Sequence, residues 1–196
     1  MPAQKGNKKK SGAAVYALKI FGITFFTACA LAVLSQLVLS QMKFILIGFV
    51  LLLIIIAVGI IFDIIGVAAT VADPAPFHAK AARKLAGAKK TLSLLNNSSK
   101  VANVCNDVIG DICGTLSGAV GTALVASAVL AGSREEIIMS VIMTGAVSAF
   151  TVGGKALGKS FAIKEADSIM WRVGQILDWQ ALLNLRKAKK SIEKEE

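Results

Sequence analysis

Asp63, Asp111 and Lys155 each stand where a long uncharged run gives way to charge; Asn106 and Asp107 lie one turn before Asp111, and Lys159 one turn after Lys155. Carboxylates one helical turn apart project to the same side of a helix. With an amide beside them they offer the oxygen donors that a hard cation such as Mg2+ takes from carboxylates, amides, carbonyls and water. Asp107, Asp111 and Asp63 would be acid ligands and Asn106 would add its amide oxygen, with Lys155 and Lys159 balancing charge. A second chemistry uses the same residues: the ammonium of Lys155, Lys159 or Lys100 neutralises the acids, and no metal is needed. Spacing leaves both open.

Little else on the chain could do chemistry. His78 is the one histidine, which argues against histidine-based metal or acid/base work. Cys29, Cys105 and Cys113 lack metal or redox spacing and read as small apolar residues. Neither a nucleotide-binding glycine loop nor a nucleophile elbow is present. Two aspartates without a histidine, a nucleophile or a cofactor motif define no reaction, so an enzyme is not expected.

The elements that must position these residues are four apolar stretches, 20–39, 44–62, 112–133 and 137–154. Each is about the twenty residues that a helix needs to cross a bilayer. With 55% hydrophobic and 17% charged residues in 196, the chain has too much apolar surface for a water-soluble domain. Its +10 charge is a topology signal before it is a nucleic-acid one. Lysines precede the first stretch and follow the second and fourth, whereas Lys43 and the Arg134-Glu135-Glu136 turn lie on the other side. The positive-inside rule then makes both termini cytoplasmic, and the excess also attracts lipid headgroups. The expectation is an all-α polytopic protein of a cell membrane, with about four transmembrane helices plus amphipathic juxtamembrane helices. Residues 1–12 would be a disordered basic tail, 13–190 a single transmembrane helical domain, and 191–196 a charged tail. The lysine-rich start before an apolar run also has the look of a secretory signal. That run is longer than usual, and Phe26-Thr27-Ala28-Cys29 is a poor lipoprotein box.

Between the stretches, Gln41-Met42-Lys43 makes a tight return, so the first two helices should be antiparallel neighbours. Pro74 and Pro76 should stop the second helix. Residues 77–95 mix apolar residues with lysines and read as an amphipathic helix at the inner face, ending at Asn96-Asn97-Ser98-Ser99. In the third span Gly110, Gly114 and Gly118 form a close-approach seam. Ser140, Thr144, Ser148 and Thr151 in the fourth form a hydroxyl stripe suited to face it. The fourth span closes on a flexible, basic Gly153-Gly154-Lys155 segment, and Trp171 and Trp179 beyond it favour anchoring at the interface.

Four motifs in order carry a resemblance. They are Ala72-Asp73-Pro74-Ala75, then Leu92-Ser93-Leu94-Leu95-Asn96-Asn97, then Val104-Cys105-Asn106-Asp107, and last Gly154-Lys155-Ala156-Leu157-Gly158-Lys159. Over about residues 44–185 the chain resembles the transmembrane domain of the cyclin M and CorB/CorC (hemolysin-related) divalent-cation transporters, with the first helix as an addition. The resemblance implies a magnesium or cobalt site in a cavity open to the cytoplasm, and a homodimer. Asp73 would match the family's first-motif acid, Asn106 its asparagine and Lys159 its terminal lysine. Cys105 stands in place of a glycine, Gly110 of a further asparagine, Lys155 of a glutamate and Gly158 of a proline, while Asp107 and Asp111 are added acids. No nucleotide-sensing domains follow, so that regulation is expected to be absent. Two functions follow: a bacterial inner-membrane protein binding or moving Mg2+, Co2+ or another divalent cation, or a non-transporting scaffold held by Lys-Asp pairs.

Overall fold

The computed structural model describes residues 18–34, 37, 45–129 and 132–192, with side chains as far as 179. The basic tail 1–12, the Gln41-Met42-Lys43 return and residues 193–196 lie outside them. The described residues are helical and contain no strand. In order they form α1 (Leu18–Leu34), α2 (Ile45–Val71), α3 (Ala75–Ala82), α4 (Ala88–Leu95), α5 (Ser98–Ala102), a π-helical segment (Asn103–Gly110), α6 (Asp111–Ala128), α7 (Arg134–Lys164) and α8 (Ala166–Ile192). Three helical stretches, Ile45–Val71, Ser98–Ala128 and Arg134–Lys164, are long and apolar enough to cross a membrane; α1 is shorter. Large apolar side chains such as Leu46, Phe150 and Leu157 are 74%, 66% and 78% exposed. Faces of this kind need a nonaqueous partner.

The helix ends have local causes. Pro74 takes the cap position of α3 and Asp73 Oδ1 accepts the Ala75 N–H at 2.9 Å, so α2 stops at Val71 as the prolines require. The amphipathic stretch is two helices. Lys84 and Gly87, at φ 55° and 89°, break it between α3 and α4; left-handed backbone of this kind cannot continue a right-handed helix. Arg134, Glu135 and Glu136 form no turn but the first turn of α7. There Ser133 Oγ accepts the Glu136 N–H at 3.1 Å, and Glu136 Oε2 reaches back to the Gly132 N–H at 2.6 Å, a variant of the capping box. The flexible segment expected at Gly153-Gly154-Lys155 is likewise unbroken helix within α7.

The chain divides into two compact units, Met1–Val58 with Asp111–Thr151, and Gly59–Gly110 with Val152–Glu196. In the first, the buried side chains are aliphatic or small, including Leu52, Ile56, Leu116, Val120 and Leu124. Gly121 faces Met143 and Val147 of α7, where an added Cβ would lie 3.2 Å from each. Among the described residues nothing lies within 4 Å of such a Cβ on Gly114 or Gly118, so the glycine seam is not packed at those two positions. Nor do the α7 hydroxyls face it. Thr144 and Ser148 are exposed, and Thr144 and Thr151 bond the carbonyls of Ser140 and Val147 one turn back.

The second unit has its own core of Ala68, Ala69, Ala72, Phe77, Leu95, Ala162, Ala166 and Met170. Complete burial of Phe77 and of Met170 is worth about 1.5–3 kcal/mol each. α4 packs on α8. At the junction Thr91, fully buried, donates to the Gly87 carbonyl at 3.1 Å and approaches that of Met170 at 3.4 Å, beside Gly174, which has no side chain to displace it.

Candidate functional site

The second unit buries one charged side chain among the described residues, Asp63, at 3% exposure. On α2, Asp63 lies one turn after Ile60 and one turn before Gly66, with Ile64 stacked above Ile60. Across from it, α7 repeats glycine and lysine four residues apart: Gly154-Lys155, then Gly158-Lys159. The glycines let α2 come close. A Cβ on Gly158 would lie 2.8 Å from Ile64 Cγ1, and one on Gly154 would overlap Ile60 Cδ1. The neighbouring lysines then reach the acid: Lys155 Nζ is 3.8 Å from Asp63 Oδ1, and Lys159 Nζ is 3.7 Å from Oδ2. These separations make ion pairs without hydrogen bonds.

The π-helical segment closes a further side. A Cβ on Gly110 would lie 3.2 Å from Lys155 Nζ, 3.4 Å from the Cys105 carbonyl oxygen and 3.9 Å from Asp63 Oδ1. Gly110 thus leaves room for the ammonium. Asn106 lies against Gly66, whose Cβ would overlap the Asn106 amide oxygen. π-helical turns of this kind are frequent at functional sites, where they redirect side chains. Two buried oxygens, Asp63 Oδ2 and Asn106 Oδ1, have no hydrogen-bond partner among the described residues. An orphaned buried acceptor is costly, so a donor or cation at either would be favoured.

The residues expected to form the site are distributed as follows. Asp63, Asn106, Lys155 and Lys159 come together in the second unit, with the lysines flanking Asp63. Asp107 and Asp111 are exposed, and no ion pair within 4.0 Å engages either among the described residues. Asp73 does local work at the start of α3: its carboxylate caps Ala75, and its own N–H donates to Asp167 Oδ1 at 3.0 Å. It lines an open, polar cleft of about 390 Å³ with Lys164, Glu165 and Asp167. Among the described residues, no three His, Cys, Asp or Glu side chains gather as a metal set.

Sequence reasoning missed Gly66, Thr91 and Lys80. A glycine inside an apolar run is the signal that would have found Gly66, since its absent side chain accommodates Asn106. Lys80 Nζ sits 4.2 Å from the centre of the Trp171 ring and 5.1 Å from that of Phe77, a cation-π arrangement. Trp171 therefore packs inside the unit, stacked with Phe77 at 6.3 Å, whereas Trp179 is 64% exposed.

The fold and site define a helical protein with three stretches able to cross a membrane and a buried aspartate flanked by two lysines. Comparison of the chain with family profiles, curated proteins and solved structures finds no match. The resemblance to the divalent-cation transporters thus rests on its four motifs alone.

Proposed function

We propose that the chain is a multi-pass protein of a cell membrane, with both terminal segments cytoplasmic, acting as a non-transporting scaffold or interaction protein. Its internal Lys-Asp-Lys cluster stands in place of a metal site. The observation that carries this reading is the pair of ammoniums within 4.0 Å of the buried Asp63 carboxylate. A cation already tethered to the chain fills the role that a divalent ion would have. The open glycines Gly114 and Gly118 on α6 favour assembly as a homodimer, because small residues let membrane helices approach.

The second reading is transport or binding of a divalent cation such as Mg2+ or Co2+. It is favoured by Asp63 Oδ2 and Asn106 Oδ1, which accept no hydrogen bond among the described residues and are oxygens of the type that hard cations take. One experiment separates the two. Purified protein in detergent is titrated with magnesium, cobalt, manganese and sodium while thermal unfolding is followed, with Asp63→Asn in parallel. A ligand that binds only the folded form must raise its stability. The scaffold reading expects no ion-specific shift in the wild type and a lower midpoint for Asp63→Asn. Saturable stabilisation by one divalent ion, lost in Asp63→Asn, would establish the second reading instead.

A further inference from the structure

We propose that the elbow joining α3 to α4 is a docking surface for anionic phospholipid headgroups. The inference rests on the membrane reading above and adds a partner to it. Arg83, Lys84, Lys89 and Lys90 place four cations within eight residues. All four are exposed, and none lies within 4.0 Å of a carboxylate among the described residues. Asp178, the acid nearest the elbow by bonding, is already engaged: its Oδ2 accepts the Gly87 N–H at 2.9 Å. Among the described residues, the four positive charges therefore have no ion-pair partner.

The elbow's backbone is held in place before any ligand arrives. Lys84 and Gly87 adopt positive φ, and a Cβ on Gly87 would lie 2.9 Å from the Gln175 backbone of α8. The Asp178 bond and the approach of the buried Thr91 hydroxyl to the Met170 carbonyl pin the start of α4 to α8. A preorganised surface loses less entropy on binding than a mobile tail. Leu85, between the cations, is 46% exposed. An apolar side chain flanked by Lys and Arg suits the boundary between headgroups and acyl chains, where basic residues are drawn to anionic lipid. A soluble polyanion would satisfy the charges and leave Leu85 in water.

The test uses Trp171 and Trp179, on α8, as intrinsic probes. The full chain is reconstituted in phosphatidylcholine bilayers containing increasing brominated phosphatidylglycerol or, separately, brominated phosphatidylcholine, and tryptophan quenching is followed. Stronger quenching by the anionic lipid is expected, weakening as salt rises. The variant Arg83→Gln/Lys84→Gln/Lys89→Gln/Lys90→Gln should lose the preference, at about fivefold in relative affinity per cation. Lys89→Gln/Lys90→Gln alone should lose part of it, and decides the matter if the fourfold variant does not fold. Equal quenching by the two lipids in the wild type, or an undiminished preference in the folded variants, overturns the proposal. Release of the wild-type protein from membranes by alkaline carbonate would instead overturn the membrane reading on which it rests.

Discussion

In the unit built from Gly59–Gly110 and Val152–Glu196, α2 and α7 meet where glycines remove side chains and lysines reach across to a buried acid. In the unit built from Met1–Val58 and Asp111–Thr151, α6 and α7 meet through Gly121 against Met143 and Val147, and the buried side chains among the described residues include no charge. The contrast concerns tolerance. Aliphatic packing is nondirectional and accepts small shifts. A buried carboxylate accepts few, because its compensation depends on where two ammoniums stand.

The largest effect that could break this contrast is Lys155→Glu, which puts a second carboxylate beside Asp63. A loss of about 3–5 kcal/mol is expected, as for a buried charge stripped of its partner, and thermal or denaturant unfolding in micelles would measure it. Asp63→Leu combined with Lys155→Met should recover most of that loss, since it removes the buried charge, and Lys159, left without its acid, is half exposed to solvent. If Lys155→Glu unfolds with the wild type, the cluster is not structural.

Gly66→Ala comes next. Its Cβ would overlap the Asn106 amide oxygen, and overpacking of this sort costs about 1–3 kcal/mol. Asn106→Ala in the same chain should relieve it, a reciprocal rescue that a general propensity effect would not produce. Thr91→Val removes a buried hydroxyl bonded to the Gly87 carbonyl and should cost about 1 kcal/mol. Faster amide exchange confined to α4 is the expected signature.

The smallest change is in the other unit. Gly118→Ala adds a methyl group where none of the described residues lies within 4 Å, so it should be neutral or stabilise the helix by up to about 1 kcal/mol. A destabilisation as large as that of Gly66→Ala would erase the difference between the units.

The long apolar helices were legible because uninterrupted hydrophobic runs admit few other structures, and the stop before Pro74 because proline lacks a donor. The nearness of Lys155 and Lys159 to Asp63 was also legible, from charge at the ends of those runs. Which lysine faces which acid was not. The spacing that set Asp107 and Asp111 in one cavity assumed a regular α-helix, whereas Asn103–Gly110 is π-helical, and the wider turn changes which residues share a face. Small-residue periodicity misled for a related reason. It shows where close approach is allowed, and Gly114 and Gly118 allow one that none of the described residues makes. Thr91 and Gly87 escaped notice because their partners on α8 lie some eighty or ninety residues away along the chain.

The doubled Gly-Lys unit on α7 also sets the vernier between two helices. A slide of α7 by four residues along α2, about 6 Å, would keep one lysine beside Asp63 and replace the other. In one direction Phe150 would arrive where Gly154 now admits Ile60; in the other, Ile163 would take the place of Lys159. The first displacement collides and the second leaves the carboxylate with a single counter-charge. Two repeats with a bulky residue before them and an apolar one after make a scale with one readable mark, so the alignment of α2 and α7 is written in six consecutive residues and their immediate neighbours.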